Sequence, residues 1–460
     1  MNPVLAGILV YLTAQLALGF WIARRVRTED DYLLAGRSLG YVLSTFTIFA
    51  TWFGAETCIG SAGRAYSGGL SETTADPFGY AGAVLLFGLV FAAPLWRRKL
   101  TTLADLFRDR FGPGVERLGV LLMVPSSVMW AAAQIRAFGQ VLGSASGLEI
   151  EVTITIAAAV VILYTTAGGL LADAWTDLVQ GIVLIAGLVA LLVVAIASGD
   201  AAALGDLEGS RLSFVAPGAT LLSTLETWAP PVVGSLVAQE LIARACAARA
   251  PEVARRAAVA ASAGYLLIGG IPLVLGLIAS RTLPGLAEPE SALMQMAADG
   301  LPAILYVIFA GALVSAILST VDSALLVSGS LLAHNLVVPL LRAPGERTRL
   351  RADRVAVVAS GLAAYAMAFS SESIYELVVE ASSFGTAGIF TITVFGLWSR
   401  LGGRASAYVA LSLGVTIYAV GSRSGALDQP YLTALAGALV GYLAVSAFSR
   451  PAARRPAPAR

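Results

Sequence analysis

The most constraining feature of this chain is an apolar stretch of membrane-spanning length that contains glycines and a carboxylate. Residues 49–70 read FATWFGAETCIGSAGRAYSGGL. Gly54 and Gly60 weaken a helix here, and Glu56 places a charge at membrane depth, where insertion costs about 2.5–3.5 kcal/mol. Irregular backbone is tolerated in a bilayer only where it is buried in protein or lines a cavity. The stretch therefore predicts a discontinuous helix at the ion or substrate site of a secondary transporter.

Composition places the whole chain among membrane proteins. Of its 460 residues, 57% are hydrophobic and 13% charged, whereas a soluble protein carries about 25% charged residues. Apolar runs recur along the entire length, each long enough to cross about 30 Å of hydrocarbon. We predict an all-α membrane protein whose residues 1–460 form a single transmembrane transporter domain. Motifs for a nucleotide, a catalytic metal or a covalent catalyst are absent from the sequence, so an enzyme is not expected.

The apolar runs predict about 13 transmembrane helices. Their ranges are 3–23, 40–66, 73–96, 118–143, 152–170, 174–198, 222–246, 257–280, 302–334, 354–370, 374–398, 405–421 and 430–449. Most of the 30 basic residues, Arg244 and Arg249 among them, fall on one side if the N-terminus lies outside. The positive-inside rule then predicts a cytoplasmic C-terminus, in the plasma (inner) membrane of a bacterium.

Two of the predicted spans are interrupted, the second by glycines and the seventh by Pro230, Pro231 and Gly234. They lie five spans apart, so they enter the membrane from opposite sides. Irregular helices at corresponding positions of two inverted halves indicate a transporter binding site. We therefore predict inverted repeats over 40–198 and 222–398, with peripheral helices at 3–23, 405–421 and 430–449. The alternative is that proline and glycine kink two unrelated helices.

The predicted ninth span carries more hydroxyl groups than its neighbours. Sodium is a hard cation that prefers oxygen ligands, and the adjacent Ser319 and Thr320 could supply two. The carbonyl of Ala316 lies one turn earlier, and an unwound second span would add carbonyls from Ala50 and Phe53. The alternative is that these hydroxyls bond back to their own helix, as membrane serines and threonines commonly do.

Three motifs distributed along the chain resemble the sodium:solute symporter family. They are DDYLLAGRSLG (30–40), YTTAGGLLADAWTDLVQG (164–181) and AILSTVDSALL (316–326). The resemblance covers nearly the whole chain and implies a leucine-transporter-type fold, a 5+5 inverted repeat with discontinuous helices. It implies a sodium ion between the second and ninth spans, with the ligands Ala50, Phe53, Ala316, Ser319 and Thr320. It also implies that Asp177, otherwise a helix-end charge at the cytoplasmic rim, lies on the sodium exit path.

Within this family the sequence is most similar to the choline transporter branch. The similar segments are ATWFG (50–54), MWAAAQIRAFG (129–139) and LYTTAGGL (163–170). The resemblance implies an aromatic cage for a quaternary ammonium group, since rings that face a cation attract it. Its aromatics match Trp52, Tyr80 and Trp130 in this chain. The alternative interpretation of these three rings is ordinary aromatic packing.

Two positions depart from the choline transporter pattern. Ala238 stands where that branch has another cage tryptophan, which indicates a wider cage or a different substrate. Glu56 stands where choline transporters have glycine and sugar-type relatives have glutamate. Its carboxylate could neutralise a cationic group or accept a hydrogen bond from a hydroxyl.

The remaining charges at membrane depth need partners, because an unpaired buried ion is costly. We expect Arg136 to pair with at least one acid, as a gating pair or a substrate ligand. The candidate acids are Glu240, Glu376, Glu380 and Asp322. Glu240 replaces a tyrosine that gates the inner path in sugar-type relatives. The single histidine, His334, is expected to have a structural role.

Together these features predict sodium-coupled uptake of a small organic solute by alternating access. The favoured solute is a cationic or zwitterionic amine, such as a choline-like compound. The alternatives are a symporter for an amino acid, a carboxylate or a sugar, or a membrane sensor that binds a solute without moving it. The expected partners are Na+ as coupling ion, the solute and the lipid bilayer, with no organic cofactor and no nucleic acid. The oligomeric state is left open, with a monomer as one option.

Overall fold

A computed structural model describes residues 3–370 and 373–448, which fold into helices joined by short loops. The α-helices are α1 Pro3–Ala23, α2 Glu29–Leu34, α3 Tyr41–Trp52, α4 Ala62–Gly68, α5 Tyr80–Leu86, α6 Ala92–Arg97, α7 Leu103–Phe111, α8 Pro113–Ser146, α9 Ile150–Ala197, α10 Leu221–Ala229, α11 Gln239–Ala247, α12 Pro251–Thr282, α13 Ala292–Gly300, α14 Ala303–Leu332, α15 Glu346–Ala368, α16 Ile374–Ser383, α17 Thr386–Trp398, α18 Arg404–Ser424 and α19 Pro430–Phe448. Within these residues, the strand-like pairing is a single bridge between Leu39 and Ala248.

Many of these helices are suited to a bilayer. Within the described ranges, eight are long and apolar enough to cross it, or ten if each of two bent helix pairs counts as one span. The bent pairs coincide with the predicted second and eleventh spans. The prediction of a multi-pass helical membrane protein is confirmed, and α14, the predicted ninth span, runs through the centre of the core.

The second span is discontinuous, as predicted. Helix α3 ends at Trp52, and Phe53 leaves helical geometry with φ −90° and ψ 69°. The chain resumes as a π-helical segment, Glu56–Ser61, that continues into α4. The two halves meet at 53°. The break therefore falls at the Phe53–Gly54 position that the glycine content of this stretch indicated.

The seventh span is interrupted as well, but later than predicted. Pro230, Pro231 and Gly234 lie in a π-helical segment that continues α10, where the missing proline N–H groups are accommodated. The backbone leaves helical geometry at Ala238, with φ −64° and ψ 125°, just before α11 begins. Gly234 serves close packing instead, since a Cβ there would lie 2.1 Å from the Ser382 carbonyl oxygen.

The predicted fifth and sixth spans form one long helix, α9, with a break inside it. Its 48 residues would extend about 72 Å at 1.5 Å per residue, more than twice the hydrocarbon thickness. Gly169 interrupts the helical geometry with φ +61°, a conformation that favours glycine. The two predicted spans are therefore continuous in the chain but separated at Gly169.

The motif at 30–40 packs against this break and bonds to the carbonyl oxygens before it. Tyr32 of α2 packs so tightly on Gly169 that a Cβ there would lie 2.5 Å from its ring. The Tyr32 hydroxyl also donates to the carbonyl oxygens of Thr165 and Thr166, at 3.3 Å each. These are carbonyls of the last turn before the break, which lacks its full set of intrahelical donors. Two motifs that are far apart in sequence thus form one structural unit.

Candidate functional site

Two hydroxyls of α14 meet the carbonyl of Ala50 beside the break in the second span. The Ser319 hydroxyl donates to the Ala50 carbonyl oxygen at 2.5 Å. The Thr320 hydroxyl oxygen lies 3.4 Å from the Ala50 oxygen and 3.2 Å from the Ala316 oxygen. All four residues are buried. We call Ala50, Ala316, Ser319 and Thr320 the neutral oxygen cluster.

The neutral oxygen cluster contains four of the five sodium ligands that the resemblance implied. The fifth, Phe53, stands three residues after Ala50, at the helix break itself. The Ser319 hydroxyl reaches across to the other helix, whereas the alternative interpretation had it bond back to its own. Two hydroxyls and nearby main-chain carbonyls, with no charged group among them, form a set of hard oxygen donors that suits a monovalent hard cation.

Glu56 is held by two side chains of α8. The Gln134 amide donates to Glu56 Oε2 at 2.6 Å, and the Trp130 indole N–H points to Oε1 at 3.3 Å. The Gln134 amide oxygen in turn accepts from the Ala55 N–H at 2.9 Å. Sequence reasoning missed Gln134, although it follows Trp130 by four residues on the same face of an otherwise apolar helix.

Gly54 joins the Glu56 carboxylate to the neutral oxygen cluster. A Cβ at residue 54 would lie 2.5 Å from Glu56 Oε2, 2.7 Å from the Thr320 hydroxyl oxygen and 2.9 Å from Gln134 Oε1. Three oxygens from three helices therefore surround the α-carbon of Gly54. The Glu56 carboxylate thus stands on one side of the cluster, and Asp177 lies within hydrogen-bond reach of the Ser319 hydroxyl on another.

The three predicted cage aromatics lie in one region but do not all line the same cavity. The rings of Trp52 and Trp130 meet edge to face at 5.2 Å. The Trp52 indole donates to Ser235 at 3.3 Å, and the Tyr80 hydroxyl lies 3.0 Å from the Ser382 hydroxyl. A cavity beside them is lined by Trp130, Ser127, Ser235, Ala238, Glu240 and Ser382. Trp130 thus faces this cavity, while Trp52 and Tyr80 hold two of its serines.

Ala238 and Glu240, at the start of α11, line this cavity together. Ala238 leaves space on its side of the cavity because it carries only a methyl group where the choline transporter pattern has an indole. The Glu240 carboxylate accepts from the Ser127 hydroxyl at 2.6 Å. The cavity therefore presents one aromatic face, several hydroxyls and one carboxylate.

The structure buries Arg244, which the distribution of basic residues predicts on the cytoplasmic side. Its side chain is 0% exposed. Its guanidinium lies 2.5 Å from Asp173 and 3.8 Å from Asp177, and it also bonds to the Ser323 hydroxyl. The Thr47 hydroxyl donates to Asp177. We call Arg244, Asp173, Asp177, Ser323 and Thr47 the ionic cluster.

Asp177 and Asp322 are buried acids near the neutral oxygen cluster. Asp177 is 0% exposed and belongs to the ionic cluster, so it is not the helix-end charge at a rim that the residues alone suggested. Asp322 accepts from the Thr165 hydroxyl at 3.0 Å and shares a small cavity with Asp173. The structure thus gathers three carboxylates around one arginine.

The prediction that Arg136 pairs with an acid is wrong. In the residues that the structure describes, none of the four candidate acids pairs with it, and its guanidinium donates to the Ala368 carbonyl oxygen at 3.2 Å. Arg136 lines an open cavity together with Arg64 and Glu290, which we call the vestibule. The acids have other partners: Glu376 pairs with Arg64 at 3.4 Å, and Glu380 accepts from Tyr418.

Comparison with known proteins identifies a family and a fold. The profile of the sodium:solute symporter family matches residues 32–414. A high-affinity choline transporter of Drosophila melanogaster is 30% identical over 81% of this chain and 63% of its own length, so the chain spans less than two thirds of that relative. A human high-affinity choline transporter is 26% identical over 81% of this chain and 69% of its own. A high-affinity proline transporter of Bacillus subtilis is 25% identical over 90% of this chain and 91% of its own.

Two solved structures have a similar fold. A substrate-bound, outward-open Na+-coupled sialic acid symporter superposes with a TM-score of 0.85, covering 98% of each chain at 16% identity. A nucleobase–cation symporter in a closed conformation gives 0.65, covering 91% of this chain and 94% of its own at 17% identity. At these identities the likeness shows the fold alone, and it confirms the predicted leucine-transporter-type fold.

Proposed function

Because the chain belongs to the sodium:solute symporter family, we propose that it couples sodium entry to the uptake of a small organic solute by alternating access. The observation that carries this proposal is the convergence of the Ser319 and Thr320 hydroxyls on the Ala50 carbonyl, beside a broken helix. One positive charge that crosses a potential of about 100 mV releases roughly 2.3 kcal/mol. Sodium entry is therefore a sufficient driving force for accumulation.

Sodium binds at the neutral oxygen cluster, with Phe53 completing the ligand set. The five residues supply oxygens only, and none is charged. Uncharged donors bind a monovalent cation weakly enough for it to leave on the inner side. Glu56, beside the cluster at Gly54, supplies a nearby negative charge. Asp177, buried beneath the cluster, receives the ion on its exit path, and Asp322 lies next to this path.

The solute is a cationic or zwitterionic amine, and it binds in the cavity that Trp130 lines. An indole face and the carboxylates of Glu56 and Glu240 would stabilise a positive group there. Trp52 and Tyr80 support this wall, and Ala238 leaves room for a solute of different shape from choline. The similarity to choline transporters supports this class, and the similarity to proline transporters supports an amino acid as the alternative.

The remaining charges have gating roles in this proposal. Glu240 closes the cavity from the side of α11 through its bond to Ser127. Arg136 stands in the vestibule, where it can meet the carboxylate of a zwitterion on its way in. The inverted repeats comprise residues 40–198 and 222–398, with the N-terminus outside. The protein resides in a bacterial inner membrane, in keeping with the proline symporter of Escherichia coli that also matches.

A two-stage experiment tests this function. Purified protein is first screened for thermal stabilisation by choline, betaine, proline and glucose, with and without sodium. The stabilising compound is then offered as a labelled solute to proteoliposomes under an inward sodium gradient. We expect accumulation that requires sodium and collapses when the gradient is removed. Binding without accumulation would identify a sensor, and accumulation independent of sodium would refute the coupling.

A further inference from the structure

A further buried acid, which neither the sodium site nor the solute cavity uses, lies at the start of the third span. Asp76 is 0% exposed. Its Oδ2 accepts from the Thr57 hydroxyl at 2.7 Å and from the Tyr265 hydroxyl at 3.0 Å, and these two hydroxyls lie 2.7 Å apart. Three oxygens from three helical elements thus lie within 3.0 Å of one another, and the two hydroxyl protons point to Oδ2.

The other carboxylate oxygen of Asp76 is unsatisfied. Oδ1 is buried and has no hydrogen-bond partner among residues 3–370 and 373–448. In the same ranges, the ion pairs formed by arginine and histidine side chains do not include Asp76. An ionised carboxylate with one bare oxygen and no counter-ion is strongly unfavourable inside a membrane. Asp76 therefore needs a cation that the chain itself does not provide.

The groups that face Asp76 make its ionised form still less favourable. The titratable side chains that interact with it are Glu56 and Cys58 of the second span, Tyr80 of its own span, Tyr265 of α12 and Tyr375 of α16. Each of them is neutral or negative, and none is a base. Arg64, which lies over the Tyr375 ring, pairs with Glu72 and Glu376. The neighbouring carboxylates of Asp76 and Glu56 cannot both stay ionised without a bound cation.

We propose that Asp76 is a proton-binding site and that its proton is a second coupling cation, carried together with sodium in each cycle. This inference rests on the proposed function. The proton adds to the bare Oδ1 to give a neutral carboxylic acid, and its release restores the carboxylate. No other bond forms or breaks.

The bare Oδ1 favours a proton over a second sodium ion at this position. A hard metal ion needs several oxygen ligands at once. The Thr57 and Tyr265 hydroxyls contact Oδ2, and Oδ1 has no hydrogen-bond partner among the described residues. A proton needs only the one oxygen.

The vestibule provides the entry route. Gly60 and Gly63 line it, and Gly60 follows Thr57 by less than one helical turn. Ser61, on the same segment, donates to the Asp76 main-chain oxygen at 3.0 Å. The Asp76 main chain is thus bonded to the segment whose glycines line the vestibule.

Infrared spectroscopy of the purified protein tests whether Asp76 carries a proton. At neutral pH we expect a carbonyl-stretch band of a protonated carboxylic acid that disappears in Asp76→Asn. The matched control is Glu56→Gln, which removes the neighbouring buried carboxyl and should leave this band in place. A band that is absent from the wild type, or that only Glu56→Gln removes, overturns the proposal.

A milder variant covers the case in which Asp76→Asn does not fold. Tyr265→Phe keeps the ring and the carboxyl but deletes one hydroxyl that donates to Oδ2. A protonated carboxyl with one fewer hydrogen bond absorbs at higher wavenumber, so we expect an upward shift of the band. An unshifted band would assign the proton to another acid.

Proteoliposomes with a trapped pH indicator test the coupling separately. Under a sodium gradient, the solute found in the screen should acidify the lumen of wild-type vesicles and not of Asp76→Asn vesicles. Sodium-driven uptake without acidification in the wild type overturns proton coupling and leaves the proposed function intact. If no solute is taken up at all, the proposed function fails and proton coupling fails with it, while the infrared bands still decide whether Asp76 is protonated.

Discussion

The neutral oxygen cluster and the ionic cluster both include residues of α3 and α14, where they lie about one helical turn apart, yet they are built differently. In α3, Thr47 of the ionic cluster precedes Ala50 by three residues, and in α14, Ser323 follows Thr320 by three. In the ionic cluster, the positive charge is the chain's own Arg244. In the neutral oxygen cluster, no side chain supplies one. The first arrangement joins helices through an internal ion pair, and the second offers oxygen donors without a positive charge, as the proposed sodium site requires.

The largest expected effect follows from removing the internal cation. Arg244→Ala leaves Asp173 and Asp177 buried without a counter-ion, and breaking a buried pair in this way costs about 3–5 kcal/mol. We expect a large drop in the apparent melting temperature, measured by intrinsic fluorescence in detergent. Arg249→Ala, which alters an exposed arginine two residues after α11 ends, is the control and should melt like the wild type. Equal melting of both variants would show that the ionic cluster does not stabilise the fold.

The next largest effect concerns the binding of sodium from solution. Ser319→Ala and Thr320→Ala each remove one oxygen of the neutral oxygen cluster. We expect each to raise the sodium concentration for half-maximal thermal stabilisation about tenfold, equivalent to roughly 1.4 kcal/mol. Ser328→Ala is the matched control, because that buried hydroxyl bonds only to the Leu325 carbonyl of its own helix, among the bonds of the described residues. Unchanged sodium dependence in both Ser319→Ala and Thr320→Ala would remove sodium from this site.

A methyl group at Gly54, between Glu56 and the neutral oxygen cluster, should weaken both sodium binding and solute binding. Gly54→Ala places a Cβ within 2.9 Å of Glu56, Thr320 and Gln134, so the carboxylate and the hydroxyl must move apart. We expect weaker responses to sodium and to the solute together, several-fold each, measured in the same thermal-shift titrations. Gly311→Ala, whose Cβ would meet open space in α14, is the control. A loss of only one response would separate the two sites.

The smallest effect lies at α7, a short helix outside the spanning helices. Burial alone would raise the pKa of Asp105 in α7, but its bonds with His334, Thr102 and Arg108 outweigh this and lower the pKa from 3.8 to about 2. A lowered folded-state pKa means that Asp105 contributes stability above about pH 4, which is lost as the pH falls through about 2. His334→Gln removes the imidazole 3.4 Å from Asp105.

We therefore expect His334→Gln to be less stable than the wild type at pH 7 by about 1 kcal/mol or more, to begin acid unfolding at higher pH, and to approach wild-type stability only as the pH falls towards 2. Melting temperatures between pH 3 and pH 7 measure this. The same acid midpoint in both proteins would mean that His334 does not hold the Asp105 charge. Such a result would leave the comparison of the two clusters untouched, because it concerns neither.

Much of the fold could be predicted because the bilayer imposes its own pattern on a sequence. Spans are visible as apolar runs, and the break of the second span is visible as glycines beside Glu56 in such a run. The paired hydroxyls Ser319 and Thr320 stand out for the same reason, since polar groups are rare at this depth. The break in the seventh span was misplaced, because prolines can be absorbed in a π-helical segment while an alanine, Ala238, unwinds.

By itself, the sequence determined the class, the family and the helices that carry the site, because hydropathy and short motifs are local properties of the chain. Only the tertiary structure decided which charges are paired. Arg244 is an arginine near a helix end in the sequence, and its burial depends on Asp173, which lies on another helix. The unsatisfied oxygen of Asp76 and the freedom of Arg136 from its expected acids are likewise set by packing between distant segments. Coulomb energy depends on distance in space, and separation along the chain does not report that distance.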